Sequence, residues 1–408
     1  MNTLNNYRIQ MGNKEFPPIM VGGMGTNIST PEMAIEIARL GGIGHISDAM
    51  SCAVSDLRFG TQFSKDKFRK YKHQKHLRNK SFAQFDLGNI AEATKLLVSK
   101  TMAAKKGNGD VFINLMEKLT LNNPKETLKT RLCSALDAGI DGISMGAGLH
   151  LNSFEMMADH PRFRQAKLGI IVSSVRALKL FLTKTKKFDR LPDFVVVEGP
   201  LAGGHLGFRL DDWHTYDLKT IVSEVIAFIT QNNLEIPVIP AGGIYTGQQA
   251  VEMIKMGAAA VQVATRFTIV KESGLPAKAK QEFFKARQED IIVNTVSPTG
   301  YPMRMLVNSP CIAAKTRPNC ETYGYLLDRK GNCSYNDAYL NAEETVQEGQ
   351  EVRIKDKTCL CSHMRNYRTW TCGHYTYKLK DKAVVMDDGT YEEPTSEEIF
   401  NDYLTGTD

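Results

Sequence analysis

The chain has few of the features that mark membrane, secreted or fibrous proteins. No stretch approaches the roughly 20 consecutive apolar residues of a transmembrane helix, and the N-terminal residues lack the apolar core of a signal peptide. Eight cysteines in 408 residues are too sparse for a disulfide scaffold, and a reducing compartment would keep them as thiols. The sequence therefore predicts a cytoplasmic protein with no membrane partner.

Excess charge of one sign is also small. The 51 Lys and Arg residues exceed the 45 Asp and Glu residues by six, which permits an acidic or phosphorylated partner without requiring a nucleic acid. A content of 42% hydrophobic and 24% charged residues is that of an ordinary globular protein. We therefore exclude a disordered chain and expect no nucleic-acid partner.

What the chain does have is a series of eight short apolar runs separated by helical patterns. The runs are continuous rather than alternating, which is typical of parallel strands buried on both faces. Eight such strands predict the α/β class and a TIM (β/α)8 barrel, with an open doubly wound sheet as the alternative. The predicted strands are 18–21, 43–47, 111–115, 141–145, 168–173, 194–198, 236–241 and 260–264, and the predicted helices are 31–40, 90–104, 125–138, 174–183, 218–231 and 246–256.

Two regions depart from this repeat. Residues 58–80 contain nine Lys or Arg and one acid. We interpret them as a solvated helical insertion, with a docking patch for phosphates or an acidic carrier as the alternative. Residues 300–408 lose the alternation and hold six of the eight cysteines. We predict a barrel over 1–299 that includes the basic insertion, and a cysteine-rich C-terminal appendage over 300–408 whose acidic tail after 387 is loosely ordered.

Glycine clusters follow several predicted strands, at the end where a barrel places its active site. Gly242-Gly243 and Ala264-Thr265 follow the seventh and eighth strands, where barrels commonly bind a phosphate. Backbone N–H groups at glycines can approach an anion closely, and Thr265 adds a hydroxyl donor. Both pairs together favour phosphate binding over plain tight turns. The Gly22-Gly23-Met24 turn after the first strand indicates a flat ring lying against bare backbone.

A histidine stands in the glycine-rich loop that follows the sixth strand. Imidazole is the side chain best suited to proton transfer near neutral pH, and the glycines around His205 leave room for a substrate. We therefore assign a catalytic role to His205. His45 and His150 also fall at predicted strand ends but lack such surroundings, and we expect packing or supporting roles for both.

Five segments in series resemble the nitronate monooxygenase family, formerly called 2-nitropropane dioxygenases. They are Pro-Ile-Met-Val-Gly-Gly-Met-Gly (18–25), Glu-Gly-x-x-Ala-Gly-Gly-His-x-Gly (198–207), Pro-Val-Ile-Pro-Ala-Gly-Gly-Ile (237–244), Val-Gln-Val-Ala-Thr-Arg-Phe (261–267) and Ser-Pro-Thr-Gly-Tyr-Pro-Met-Arg (297–304). Their order and spacing match over about residues 17–308. The chain departs from the family's pattern at Val21 and Glu198, where other members have Gln, and at Ala264, where Gly is commoner.

The resemblance implies an FMN-containing TIM barrel in which His205 matches the family's active-site histidine and the phosphate cradle holds the FMN phosphate. The implied reaction is oxidation of alkyl nitronates with O2 to a carbonyl compound and nitrite. The alternative is an NAD(P)H-dependent flavin reductase acting on an enoyl-acyl-carrier protein or a quinone, because the basic insertion would suit an acidic acyl-carrier protein. By position, the implied FMN contacts are Gly22, Gly23, Met24, Asn114, Glu198, Gly203, Gly243, Gln262, Ala264 and Thr265.

The appendage raises a second cofactor question. Cys359, Cys361, His363, Cys372 and His374 are five soft ligands within sixteen residues, enough for a tetrahedral zinc site or part of an iron–sulfur site. Their spacing is not the paired Cys-x2-Cys of a zinc ribbon. Reduced, partly buried thiols packed on the barrel are therefore the preferred interpretation, with zinc or an iron–sulfur cluster as the alternative.

Overall fold

The computed structural model describes residues 3–347 and 350–406 and builds them around a closed barrel of eight parallel strands. Each strand pairs with its neighbours in the sequence, and the last pairs with the first. The predicted TIM barrel is confirmed, and all eight predicted strands form. The barrel strands are β1 (Ile19–Val21), β2 (Ile43–Ser47), β3 (Asp110–Met116), β4 (Gly142–Gly146), β5 (Lys167–Val172), β6 (Phe194–Glu198), β7 (Val238–Ala241) and β8 (Val261–Val263).

The helices begin where the sequence supplies caps. Thr30 caps the first helix, with Pro31 in its first turn, and Thr246 forms a capping box with Gln249. All six predicted helices form. The α-helices are α1 (Pro31–Arg39), α2 (Ser51–Phe59), α3 (Phe63–Tyr71), α4 (Leu87–Ala104), α5 (Pro124–Asp137), α6 (Ser153–Met157), α7 (Val175–Thr185), α8 (Leu218–Gln231), α9 (Gly247–Lys255), α10 (Ala277–Lys285), α11 (Ser334–Glu343), α12 (Leu360–Arg365) and α13 (Ser396–Thr405). None of the helices in the described ranges has the length and apolar character needed to cross a membrane.

Alternate residues of the strands face the two sides of the barrel wall. Phe112 and Phe194 stack inside the barrel with ring centroids 5.6 Å apart, whereas their strand neighbours pack under the surrounding helices. An N-terminal hairpin of strands Ile9–Met11 and Lys14–Phe16 packs against the same inner cluster. It lies before β1 and so covers the amino ends of the strands. The hairpin therefore leaves the carboxyl ends of the strands available for the active site.

The basic insertion is more closely packed than a solvated segment. It contains α3, and most of its cationic side chains are exposed. Lys67 and Lys80 are buried, however. Lys67 donates to the carbonyl of Cys320 at 2.7 Å, and Lys80 forms a 2.8 Å ion pair with the buried Glu321. The insertion therefore holds part of the cysteine-rich region, although the division into two regions remains a prediction.

The expectation of a loosely ordered tail is wrong. Thr395 and Glu398 form a capping box that begins α13, and Ile399, Phe400 and Tyr403 are buried in the core around the barrel. The helix packs between α1 and α9. Because only the short 3₁₀ helix Thr265–Thr268 directly follows β8, α13 takes the place of the eighth barrel helix.

Candidate active site

The first wall of the site is the backbone turn that follows β1. The Gly22 N–H donates to the carbonyl of Val263 at 2.9 Å, which ties the turn to the end of β8. An added Cβ on Gly23 would lie 2.3 Å from the Cβ of Asn114, and one on Gly22 would lie 3.2 Å from Nε2 of Gln262. Only glycine fits such close approaches without displacing a neighbour, so the turn offers bare peptide groups.

Asn114, in β3, faces this turn. Its Nδ2 donates to the carbonyl of Gly23 at 3.2 Å. Its Oδ1 is buried and has no hydrogen-bond partner among the described residues. Leaving a buried amide oxygen unpaired costs about 1–3 kcal/mol, so the position favours a ligand that brings an N–H or O–H donor to Asn114.

Glu198 of β6 and Gln262 of β8 lie at the same height in the barrel wall, on either side of β7. Ala241 of β7 pairs with Glu198 of β6 on one side and with Gln262 of β8 on the other. No group in the described ranges hydrogen-bonds the Glu198 carboxyl, and burial raises its pKa to about 7. The carboxyl is therefore partly protonated at neutral pH and can donate a hydrogen bond to a ligand.

The predicted phosphate cradle lies where the loops after β6, β7 and β8 meet. Gly242 and Gly243 have φ of 85° and 96°, a conformation that favours glycine. An added Cβ on Gly243 would lie 3.0 Å from the Cβ of Leu201 in the loop after β6. Thr265, which follows Ala264, begins the 3₁₀ helix after β8. The structure thus brings the cradle residues to one place.

A segment from the far end of the chain closes over these loops. We call residues 371–374 the C-terminal strap. The His374 N–H donates to the carbonyl of Leu201 at 3.1 Å. An added Cβ on Gly203 would lie 2.7 Å from the carbonyl carbon of Cys372, and one on Gly373 would lie 2.2 Å from Oγ1 of Thr265. The strap therefore bridges two of the positions implied as FMN contacts.

His205 lies in a short strand, Gly204–His205, which pairs with the strand Met303–Leu306. Its Nε2 lies 2.7 Å from Oγ of the buried Ser297, and Ser297 Oγ lies 2.8 Å from Oγ1 of Thr299. Burial lowers the His205 pKa to about 4, so the ring is neutral at physiological pH. No described group hydrogen-bonds Nδ1. This nitrogen is free to donate or accept a proton, according to the tautomer that Ser297 favours.

The ring nitrogens of the other two strand-end histidines, His45 and His150, are all hydrogen-bonded within the protein. His45 places Nδ1 2.7 Å from the carbonyl of Val21 and Nε2 2.6 Å from Oγ of Ser144. Both ring nitrogens of His150 lie 2.8 Å from protein oxygens, those of Ser153 and Gly146. With both nitrogens occupied in each ring, neither histidine has one left for a substrate. These contacts accord with the packing roles expected for both.

The five ligands proposed for a metal are not brought together. Cys372 and His374 belong to the strap, whereas Cys359 and Cys361 line a separate cavity and His363 contacts Thr316. Among the described residues no group of three or more His, Cys, Asp or Glu side chains is placed so that it could hold a metal ion. The alternative of zinc or an iron–sulfur cluster in the C-terminal region is therefore not supported.

Arg304 is a site residue that the sequence reasoning did not assign. It is buried, and its Nη1 donates to the carbonyls of Pro200 and Ala202 in the loop after β6. Its guanidinium lies 4.7 Å from the ring centre of Trp213, and its Nη2 has no partner within the described residues. The arginine fixes the loop that carries Gly203 and His205. Its place in the Ser-Pro-Thr-Gly-Tyr-Pro-Met-Arg segment was the available signal.

The fold and this arrangement define a β/α-barrel enzyme whose candidate site lies at the carboxyl ends of its strands. The nitronate monooxygenase family model matches residues 10–359, and the chain belongs to this family. It is therefore a flavin-dependent oxidoreductase. A probable nitronate monooxygenase of Staphylococcus saprophyticus is 24% identical over 302 residues, which is 72% of this chain and 77% of that protein.

Solved structures agree on the fold. FabK from Thermotoga maritima aligns with a TM-score of 0.56 at 18% identity, over 99% of this chain and 95% of that one. The nitroalkane oxidase from Streptomyces ansochromogenes aligns with a TM-score of 0.55 at 16% identity, over 96% of each chain. At these identities the likeness is one of fold.

Proposed function

We propose that the chain binds FMN at the mouth of the barrel and oxidises alkyl nitronates with O2. The described residues fit the cofactor in two respects: the unpaired Asn114 Oδ1 suits a ring donor, and the positive-φ pair Gly242-Gly243 with Thr265 suits a phosphate. The remaining proposed FMN contacts are Gly22, Gly23, Met24, Glu198, Gly203, Gln262 and Ala264.

The observation that carries the reaction is the neutral His205 within the glycine-rich loop that follows β6. Its Nε2 is held by Ser297, and its Nδ1 is left for the substrate. A neutral imidazole can donate a hydrogen bond to a nitronate oxygen or accept the proton of a neutral nitroalkane. When bound, FMN supplies the electron transfer from the nitronate, and O2 takes part in breaking the C–N bond. The protein's share is to orient the substrate and hold the proton.

Anaerobic flavin spectroscopy tests this proposal. Propionate 3-nitronate is added to one sample of the flavin-loaded protein, and NADH or NADPH is added to another. Bleaching of the flavin absorbance by the nitronate, followed by nitrite release when O2 is admitted, is the expected result. Rapid bleaching by the nicotinamide with no response to nitronate would overturn it. Failure to take up FMN at all would overturn the cofactor as well.

A reductase acting on an enoyl-acyl-carrier protein is the second candidate. Lys65, Lys70, Lys72 and Lys75 are exposed on and just after α3 and could attract an acidic carrier. The structural relatives include FabK and the enoyl reductase domain of MlnA from Bacillus amyloliquefaciens. NADH-dependent turnover of a carrier-linked enoyl group would favour this function over the first.

Charge reversal tests the carrier surface itself. Changing the four exposed lysines to Glu should raise KM for the carrier-linked substrate while leaving nicotinamide oxidation unchanged. The matched control reverses exposed lysines elsewhere on the surface, at Lys100, Lys184, Lys186 and Lys255. Equal KM values for both variants would show that an acidic carrier does not bind at these four lysines.

A further inference from the structure

The last helix, α13, lies against both halves of the proposed phosphate cradle. It packs on the 3₁₀ helix Thr265–Thr268, which follows β8, and on α9, which follows β7. Its polar contacts with this region fall at the residues directly beyond the cradle, because Arg266 follows Thr265 and Ile244 follows Gly243. A helix remote in sequence is therefore placed to hold the two loops that form the cradle.

Arg266 makes the first of these contacts. Its guanidinium is buried and forms a 2.5 Å ion pair with Asp402 of α13. It also lies 5.1 Å from the ring centre of Tyr403 and 5.6 Å from that of Tyr245, distances at which a cation is attracted to an aromatic face. A buried cation is costly unless an anion compensates it, so Asp402 determines where the Arg266 side chain can lie.

Tyr403 makes the second contact. Its hydroxyl donates to the carbonyl of Ile244 at 3.3 Å, and its ring stacks on Phe267 with ring centroids 6.4 Å apart. An added Cβ on Gly247, the first residue of α9, would lie 2.5 Å from the carbonyl oxygen of Tyr403. The helix therefore fits closely against the loop after β7 as well as the turn after β8.

The ion pair acts on the cradle through the backbone. Arg266 is the second residue of the 3₁₀ helix that Thr265 begins, and Oγ1 of Thr268 donates to the carbonyl of Thr265 at 2.6 Å. Because the turn is closed on itself in this way, a shift of Arg266 also shifts the N–H group and hydroxyl of Thr265. The guanidinium is already occupied by Asp402 and two tyrosine rings, so its effect on a phosphate is one of position.

We propose that Arg266 and Asp402 form a positioning pair that holds the cradle in shape for the FMN phosphate and so makes the site prefer FMN to riboflavin. The inference rests on the proposed FMN site. Removal of Asp402 distinguishes positioning from simple electrostatics, because a carboxylate near a phosphate repels it. Electrostatics alone predicts that neutralising Asp402 strengthens FMN binding, whereas positioning predicts that it weakens FMN binding.

Titration of the full-length, flavin-free protein with FMN and with riboflavin, followed by fluorescence quenching, tests the proposal. Asp402→Asn should lower FMN affinity by about tenfold and leave riboflavin affinity unchanged, because riboflavin has no phosphate. Unchanged or stronger FMN binding would overturn the positioning pair. Equal losses for both flavins would also overturn it, since they would indicate a general distortion. Failure of the natural protein to bind FMN would instead overturn the cofactor proposal, and this inference with it.

A double-mutant cycle tests whether the two residues act together. Arg266→Met should lower FMN affinity as Asp402→Asn does, and the double variant should lose no more than either single variant. Lys382 lies 3.5 Å from Asp402, so the carboxylate keeps a neighbouring cation in Arg266→Met. Losses that add up in the double variant would refute the pair.

Glu397→Gln is the matched control. It makes the same change of charge on α13, at an exposed acid that pairs with Arg39, and it should leave both flavin affinities unchanged. Urea denaturation of each variant confirms that the protein is folded under the conditions of the titration. A loss of FMN affinity in Glu397→Gln as large as that in Asp402→Asn would contradict the assignment to Asp402.

Discussion

At the scale of single residues, His205 is the side chain on which the proposed chemistry depends. If its Nδ1 accepts the proton of a nitroalkane, His205→Ala should lower kcat/KM by about 10²-fold or more with the neutral substrate. The loss should be smaller with the ionised nitronate, which has no proton to give. Steady-state kinetics with both forms measures the difference.

The exposed His214 provides the matched control, since His214→Ala removes an imidazole close in sequence without touching the loop's glycines. It should leave both rates unchanged. Equal losses of His205→Ala with nitroalkane and nitronate would assign the residue to orientation rather than proton transfer. Unchanged rates with both substrates would remove it from the mechanism.

If Glu198 contacts FMN as proposed, flavin binding should depend on pH. Burial raises its pKa to about 7, and a bound ring would remove more water from the carboxyl, so binding favours the protonated form. Flavin affinity should therefore fall as pH rises above 7, by at most tenfold per pH unit for one linked proton. Fluorescence titration with FMN at a series of pH values between 6 and about 9 measures the flavin affinity and its change with pH.

Glu198→Gln is the matched variant, because it keeps the shape and cannot ionise. Its flavin affinity should not vary with pH over this range apart from the titration of the phosphate itself, near pH 6. If the variant and the natural protein show the same pH dependence, Glu198 does not contact the cofactor.

At the scale of elements, the C-terminal strap joins the appendage to the cradle. An added Cβ on Gly373 would lie 2.2 Å from Oγ1 of Thr265, so Gly373→Ala must displace either the strap or the threonine. We expect FMN affinity to fall by about tenfold, equivalent to about 1.4 kcal/mol. The quenching of FMN fluorescence on binding measures the FMN affinity of Gly373→Ala and of the natural protein.

Gly389→Ala is the control, since it changes a glycine of the appendage with open space around it. It carries only the local cost of its positive φ, about 1–2 kcal/mol, and should leave FMN affinity as it was. Equal FMN affinity in Gly373→Ala and the natural protein would show that the strap lies beside the cradle without supporting it.

Elements also differ in how far the sequence predicts them. The eight strands are predictable because each is a local apolar run, and the glycine loops follow them directly. The strap is not, because Cys372 meets Gly203 across a long stretch of intervening chain and no local pattern encodes that contact. The spacing of Cys359, Cys361 and Cys372 suggested shared ligands, but the fold carries Cys372 to a different surface.

At the scale of the whole molecule, a helix from the end of the chain completes the ring of helices around the barrel. The acidic composition after 387 suggested disorder, yet the Thr395–Glu398 capping box and the apolar spacing of Ile399, Phe400 and Tyr403 were readable signals of a helix. What the sequence does not supply is the docking position. Phe400 lies against Gly42, at the start of β2, where an added Cβ would be 2.6 Å from the ring.

The docking of α13 predicts a large stability effect far from the candidate active site. Phe400 is fully buried, and Phe400→Ala should lower the free energy of unfolding by about 3–5 kcal/mol through the lost burial and the cavity left behind. Asn401→Ala, on the exposed face of the same helix, should change it by less than about 0.5 kcal/mol. Urea denaturation measures both variants. If Phe400→Ala costs no more than Asn401→Ala, then α13 lies on the barrel without stabilising it, and the fold is complete before the chain reaches its last helix.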